Sequence, residues 1–110
     1  MAPGPRLGEL EQLVLLALLR LGDGAYGVAV QREITARARR RLSFATIYTT
    51  LNRLEAKGLI AARLGEATAE RGGRRKTYYT VSRGGRQAVT DSLRTLRTMT
   101  AGLGAAWELP

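Results

Sequence analysis

The order of apolar and polar residues divides the chain into helical and strand-like stretches. From Leu7 to Leu21, the residues Leu10, Leu13, Val14, Ala17, Leu18 and Leu21 recur at helical spacing and predict a first helix. Leu15, Leu16 and Leu19 lie off that face, so the helix is apolar nearly all round and needs cover on two sides. Gly22-Asp23-Gly24 then breaks the chain in a turn. A second helix is expected from about Tyr26 to Ala38, with Tyr26, Val30 and Ile34 on its inward face. Arg37, Arg39, Arg40 and Arg41 follow, and the turn onward to Ser43 contains no glycine.

The most organised stretch runs from Leu42 to Val81. Ser43 is a helix N-cap by residue type, because its hydroxyl can accept a first-turn N–H. Phe44, Ile47, Leu51 and Leu54 then share one face, with Tyr48 and Glu55 at its edge. The opposite face carries Ala45, Thr46, Thr49, Asn52, Arg53 and Ala56, and Gly58 supplies the stop. A face that is small, polar and free of acid can lie close to a DNA groove. Taken alone, an ordinary amphipathic helix showing water its polar side has the same pattern. Leu59–Leu64 and Thr77–Val81 read as strands joined by a loop from Gly65 to Gly73, the spacing of an antiparallel hairpin. Arg71, Arg74, Arg75 and Lys76 cluster at its far end. Extended cations there can pair with phosphates or enter a minor groove; a solvated charged turn is the plain alternative. Helix, strand, basic loop, strand is the order of a recognition helix followed by a β-wing.

After the wing, Ser82 is a second N-cap candidate, and the pattern turns helical from Ala88. Val89, Leu93, Leu96, Thr100, Leu103 and Trp107 step alternately by four and three, as the seam of a coiled coil does. Gly102 and Gly104 weaken its end. The simplest cover for this stripe and for the spare side of the first helix is a second copy, in a two-fold dimer. The interface residues are then Leu15, Leu19, Val89, Leu93, Leu96, Leu103 and Trp107. A last helix folded back on its own domain is the alternative.

Composition sharpens this reading. A chain of 110 residues makes one domain with one modest core. Eighteen Lys and Arg against nine Asp and Glu give +9, which favours a polyanionic partner. Nucleic acid is the first expectation and an acidic membrane surface the second. The chain has no Cys and no His, which excludes disulfides, zinc sites built on those residues and His-dependent triads. The carboxylates form no motif and no phosphate-binding glycine loop is present, so no catalytic residue, metal or cofactor is assigned and no enzyme is expected. Residues 1–6 read as a disordered arm rather than a signal peptide. The longest apolar run, Leu13–Leu19, is too short to span a membrane, so the default location is the cytoplasm.

Three runs together resemble the PadR family of transcriptional regulators. They are Leu7-Gly8-Glu9-Leu10 with Ala25-Tyr26-Gly27; Tyr48-x-x-Leu51-x-Arg53-Leu54-Glu55-x-x-Gly58-Leu59-Ile60; and Arg75-x-x-Tyr78-Tyr79 with Gly84 and Gly85 soon after. The resemblance covers about residues 7 to 90. Ala45-Thr46-Ile47 departs from it where relatives often have Gly-Ser or Gly-Thr, and Ser82-Arg83-Gly84-Gly85 where Thr-x-x-Gly is usual. The implied fold is α+β and mostly helical: a winged helix-turn-helix of three helices and a two-stranded wing over residues 7–81, then one dimerisation helix over residues 82–110. The implied function is a homodimeric repressor on a pseudo-palindromic operator in double-stranded DNA. Ser43, Ala45, Thr46, Tyr48, Thr49, Asn52 and Arg53 would approach the DNA from the helix, with Arg71, Arg74, Arg75 and Lys76 approaching from the wing. The resemblance also suggests a small hydrophobic effector held against Trp107. Two other readings stay open: a basic winged helix that binds RNA, with one tyrosine of the Tyr78-Tyr79 pair stacking on a base, and a protein–protein adaptor.

Overall fold

The computed structural model describes residues 6–66 and 75–107. It comprises helix α1 (Glu9–Leu21), a 3-10 turn (Gly22–Gly24), helices α2 (Gly27–Ala38) and α3 (Phe44–Ala56), strands β1 (Ile60–Leu64) and β2 (Thr77–Val81), helix α4 (Arg83–Thr100) and a final 3-10 turn (Gly104–Trp107). The strands pair antiparallel, from Ile60 opposite Val81 to Leu64 opposite Thr77. Three helices, a two-stranded wing and one further helix make the α+β winged helix-turn-helix that the pattern predicted.

Helix α1 is central and packs against α2, α3, β2 and α4. Its start is set by Glu11, one of whose oxygens accepts the Gly8 N–H at 2.9 Å. The other oxygen takes Lys57 Nζ at 2.6 Å, from the far end of α3. With Glu11 anchored there, Val14, Leu15 and Leu18 turn into the core. Leu15 is 0% exposed. It therefore belongs to the chain's own interior, not to the spare outer side where the pattern put it as an interface residue. Leu13, Leu16 and Leu19 are only half-buried and remain toward the outside.

Helix α2 buries Val30 and Ile34 as expected and begins one residue later than predicted, with Tyr26 as its N-cap. It stops at Arg39, which adopts a left-handed φ of 53° in a turn that has no glycine to offer. Helix α3 starts where Ser43 predicts: Ser43 Oγ accepts the Thr46 N–H at 3.1 Å. Ile47, Leu51 and Leu54 are fully buried, and Thr50 joins them by donating its hydroxyl to the Thr46 carbonyl at 2.8 Å. Phe44 departs from the expected inward face and is 44% exposed. As the first residue of α3, it overhangs the core and lies beside Tyr48, with ring centroids 6.5 Å apart.

Helix α4 begins directly after Ser82, five residues before the point where the apolar rhythm becomes helical. Ser82 Oγ accepts the Gly85 N–H at 3.0 Å and donates to the Gly58 carbonyl at 2.8 Å. Gly85 lies against the Leu59 carbonyl and, for an added Cβ, only 2.8 Å from Val81 Cγ1, so the helix can approach the wing only through a glycine there. Ala88 and Val89 are buried in the same core. Val89 is thus taken up by the chain's own core and leaves the predicted dimer stripe. From Leu93 to Trp107 every residue is exposed. The helix ends at Thr100, and Gly102 and Gly104 take φ values of 79° and 54°. Leu103 and Trp107 therefore lie beyond α4, in and just before a separate turn, and the expected seam is not one continuous helix. Among the described residues, no helix is long and apolar enough to cross a membrane.

Candidate nucleic-acid interface

The outward side of α3 is a strip of small and polar groups. Ala45, Thr49, Asn52, Arg53 and Ala56 are exposed, directly opposite the buried Ile47, Thr50, Leu51 and Leu54. No acid lies among them; Glu55 stands at the edge. Thr46 is half-buried, and its hydroxyl accepts a bond from Ser43 Oγ at 3.0 Å. Ser43 is therefore committed to capping the helix, Thr46 keeps only its own O–H beyond the cap, and Thr49 and Asn52 are the exposed uncharged polar groups of this face. Tyr48 is 42% exposed and lies across the start of α2; a Cβ built on Gly27 would stand 2.6 Å from its hydroxyl oxygen.

The wing is tied to the turn before α2. Tyr26 bridges to Tyr78, and the Tyr79 N–H donates to the Ala25 carbonyl at 2.8 Å. The Tyr26 and Tyr78 rings meet edge to face at 5.9 Å. Two cations lie on this pair: Lys76 Nζ is 4.3 Å from the Tyr26 ring and the Arg63 guanidinium 4.8 Å from the Tyr78 ring. Cations over ring faces keep their charge while losing side-chain freedom. Arg75 and Lys76 are exposed at the foot of β2. Arg71 and Arg74, the other predicted wing cations, lie outside the described residues. Arg63 was missed by the sequence reading. Its place follows from the hairpin register, in which it stands opposite Tyr78, and register cannot be read across a long loop.

The acids on α1 and α2 are occupied away from this face. Glu33 holds both Arg37, at 2.5 Å, and Arg20, at 3.1 Å. The hydrogen bond from Arg37 is the main reason its carboxyl sits below the usual glutamate range, with Arg20 adding to it. Glu9 pairs with Arg40. Burial pushes the Glu11 carboxyl up, but hydrogen bonds from Lys57 and the Gly8 N–H, with the Lys57 and Arg53 charges, outweigh it and hold it low. Arg37 in the last turn of α2 and Arg40 just after it thus brace helices. Arg39 and Arg41 are exposed and form no ion pair among the described residues.

Solved structures share this architecture. A PadR family transcription regulator from hypervirulent Clostridium difficile R20291 superposes with a TM-score of 0.72 at 23% identity, over 87% of this chain and 95% of that one. A PadR family transcriptional regulator from Eggerthella lenta DSM 2243 is 26% identical with a TM-score of 0.66, over 93% of this chain and 88% of the other. The Bacillus subtilis PadR in complex with operator DNA is also 26% identical, with a TM-score of 0.63, over 76% of this chain and 47% of that one. No curated protein sequence matches at a significant level. The family described as "Transcriptional regulator PadR-like family" matches residues 15–91; the chain belongs to this family of transcriptional regulators.

Proposed function

We propose that this regulator works as a homodimeric repressor that lays one α3 per subunit in successive major grooves of a pseudo-palindromic operator. The observation that carries this reading is the outward strip of α3, acid-free and shallow from Ala45 to Ala56. On it, Asn52 prefers adenine and Thr49 reads several bases weakly. Tyr48 and Arg53, at the borders of the strip, hold phosphates, as do the exposed Arg75 and Lys76 of the wing. Tyr79 is buried and Tyr78 is occupied by Tyr26 and Arg63, so neither ring is offered to an unstacked RNA base. The DNA-bound Bacillus subtilis relative supports duplex DNA as the partner.

The dimer reading rests on α4. Leu93, Leu96, Met99, Leu103 and Trp107 are all exposed on a projecting segment that its own subunit leaves uncovered. An exposed apolar row of this length signals a protein contact. The half-buried Leu19 of α1, with Leu13 and Leu16, offers a matching apolar side. Trp107, 61% exposed, is the side chain against which a flat hydrophobic effector would stack and release the dimer from its operator.

The deciding experiment measures binding to random duplex DNA across a salt series, together with mass in solution. The expected result is a dimer whose affinity falls steeply with salt. A dimer with no duplex affinity at low salt overturns the DNA reading in favour of an adaptor. Preference for single-stranded RNA overturns it in favour of the RNA module. A monomer that binds DNA overturns the role of α4.

A further inference from the structure

We propose that Phe44 reads the C5 methyl group of a thymine in the major groove; this rests on α3 being the DNA-reading helix. Phe44 is the first residue of α3 and is 44% exposed. The ring lies beside the Tyr48 ring, tilted by 32°, and Tyr48 in turn lies over Gly27. Ala45 is exposed next to it. The leading turn of the helix therefore presents a rim of hydrocarbon made by Phe44, Ala45 and the Tyr48 ring.

Its polar groups are largely taken up by the helix cap. Ser43 Oγ accepts the Thr46 N–H at 3.1 Å and donates to Thr46 Oγ1 at 3.0 Å. The first turn can thus form few hydrogen bonds to bases, yet it belongs to the end of a recognition helix that approaches base edges most closely. Exposed arginines, Arg39 and Arg41, lead into it and match phosphate rather than an apolar protein surface. Of the groups that base pairs display in the major groove, the thymine methyl is the apolar one, and phenylalanine is among the side chains that pack on it. An apolar rim at the leading end of a cationic reading helix is complementary to that methyl.

Replacing thymine by uracil removes this methyl and nothing else. Duplexes selected from a random pool by the wild-type protein should carry a preferred thymine in each half-site. Changing that thymine to uracil should weaken wild-type binding by roughly fourfold, the worth of one buried methyl-sized group. Phe44→Ala should bind the thymine and uracil duplexes equally, and Phe44→Leu, which keeps an apolar contact, should still prefer thymine. Circular dichroism of each variant separates loss of reading from loss of fold, and the wild-type comparison needs no variant at all. A pool with no preferred thymine, or equal wild-type affinity for thymine and uracil at every position, overturns the role of Phe44 while leaving α3 as the DNA-reading helix. Absence of any duplex binding overturns both.

Discussion

The Tyr48 phenol lies across Gly27 so closely that a Cβ at position 27 would stand 2.6 Å from its hydroxyl oxygen. Gly27 opens α2 and Tyr48 projects from α3, so one contact joins the two helices of the helix-turn-helix. The tyrosine is partly exposed and can swing outward. Alanine also favours a helix over glycine by about 1 kcal/mol. Gly27→Ala should therefore leave the thermal midpoint level or raise it, while moving Tyr48 and weakening duplex DNA binding several-fold. A midpoint that drops by many degrees would mean the phenol is locked in place.

Gly85 gives the opposite case. Its added Cβ meets the Leu59 carbonyl and Val81 Cγ1, and backbone cannot step aside. Gly85→Ala should lose about 2 kcal/mol of stability in urea unfolding, within the usual cost of overpacking a core. Gly84→Ala should cost little, since its Cβ would rest 3.7 Å from Ser82 Oγ and 3.8 Å from Leu59 Cδ2. Equal losses at the two positions would refute the wing contact as the cause.

The Glu11–Lys57 pair predicts an acid limb. Glu11 has a folded-state pKa held below the ordinary 4.5. A depressed carboxylate adds stability that is fully present above the ordinary value and is lost as pH falls through the lower folded value. Glu11→Gln should cost about 2 kcal/mol at neutral pH, the order expected for a hydrogen bond to a charged group. The gap to wild type should close below the ordinary glutamate range. Urea unfolding of both proteins from pH 7 to pH 3 checks this; a constant gap throughout would exclude the linkage.

Base reading and phosphate holding separate by two substitutions. Asn52→Ala should relax preference at one base position and cost about 1–3 kcal/mol there. Arg75→Ala, which removes one phosphate contact from each subunit of the dimer, should weaken binding to all sequences and lower the slope of log affinity against log salt by about 2. If both lowered specific and random binding alike, Asn52 would not be reading bases.

Leu96→Asp tests the projecting part of α4. Leu96 is 53% exposed and is not part of the buried core, so the domain should keep its fold by circular dichroism. In sedimentation the species should shift from dimer to monomer. A variant that stays dimeric would move the interface elsewhere.

Much of this protein was legible along the chain because its rules are local. Ser43 and Ser82 cap the helices they were expected to cap, and Gly58 takes a φ of 73° at the end of α3. Strand β2 falls on the predicted residues. The outward strip of α3 was legible for the same reason, since Ile47, Leu51 and Leu54 set a phase that only one inward face satisfies. Phe44 obeyed that phase in sequence and not in space, because a helix's first residue has no preceding turn to carry it over the core.

By itself the sequence determined the element types, their order, the acid-free outward strip of α3 and the cationic character, all of which follow from spacing and residue chemistry. Tertiary structure decided which side of α1 is covered, because a helix apolar nearly all round has no phase of its own and turns on where Glu11 finds Lys57. That choice moved Leu15 into the chain's interior. Tertiary structure also drew α4 back to Ser82 and buried Val89, because Gly85 lets the helix press against Leu59 where its low propensity had hidden a helix start. Arg63 came over Tyr78 only once the hairpin register was set. Such contacts join residues far apart in the chain, and no local period encodes them.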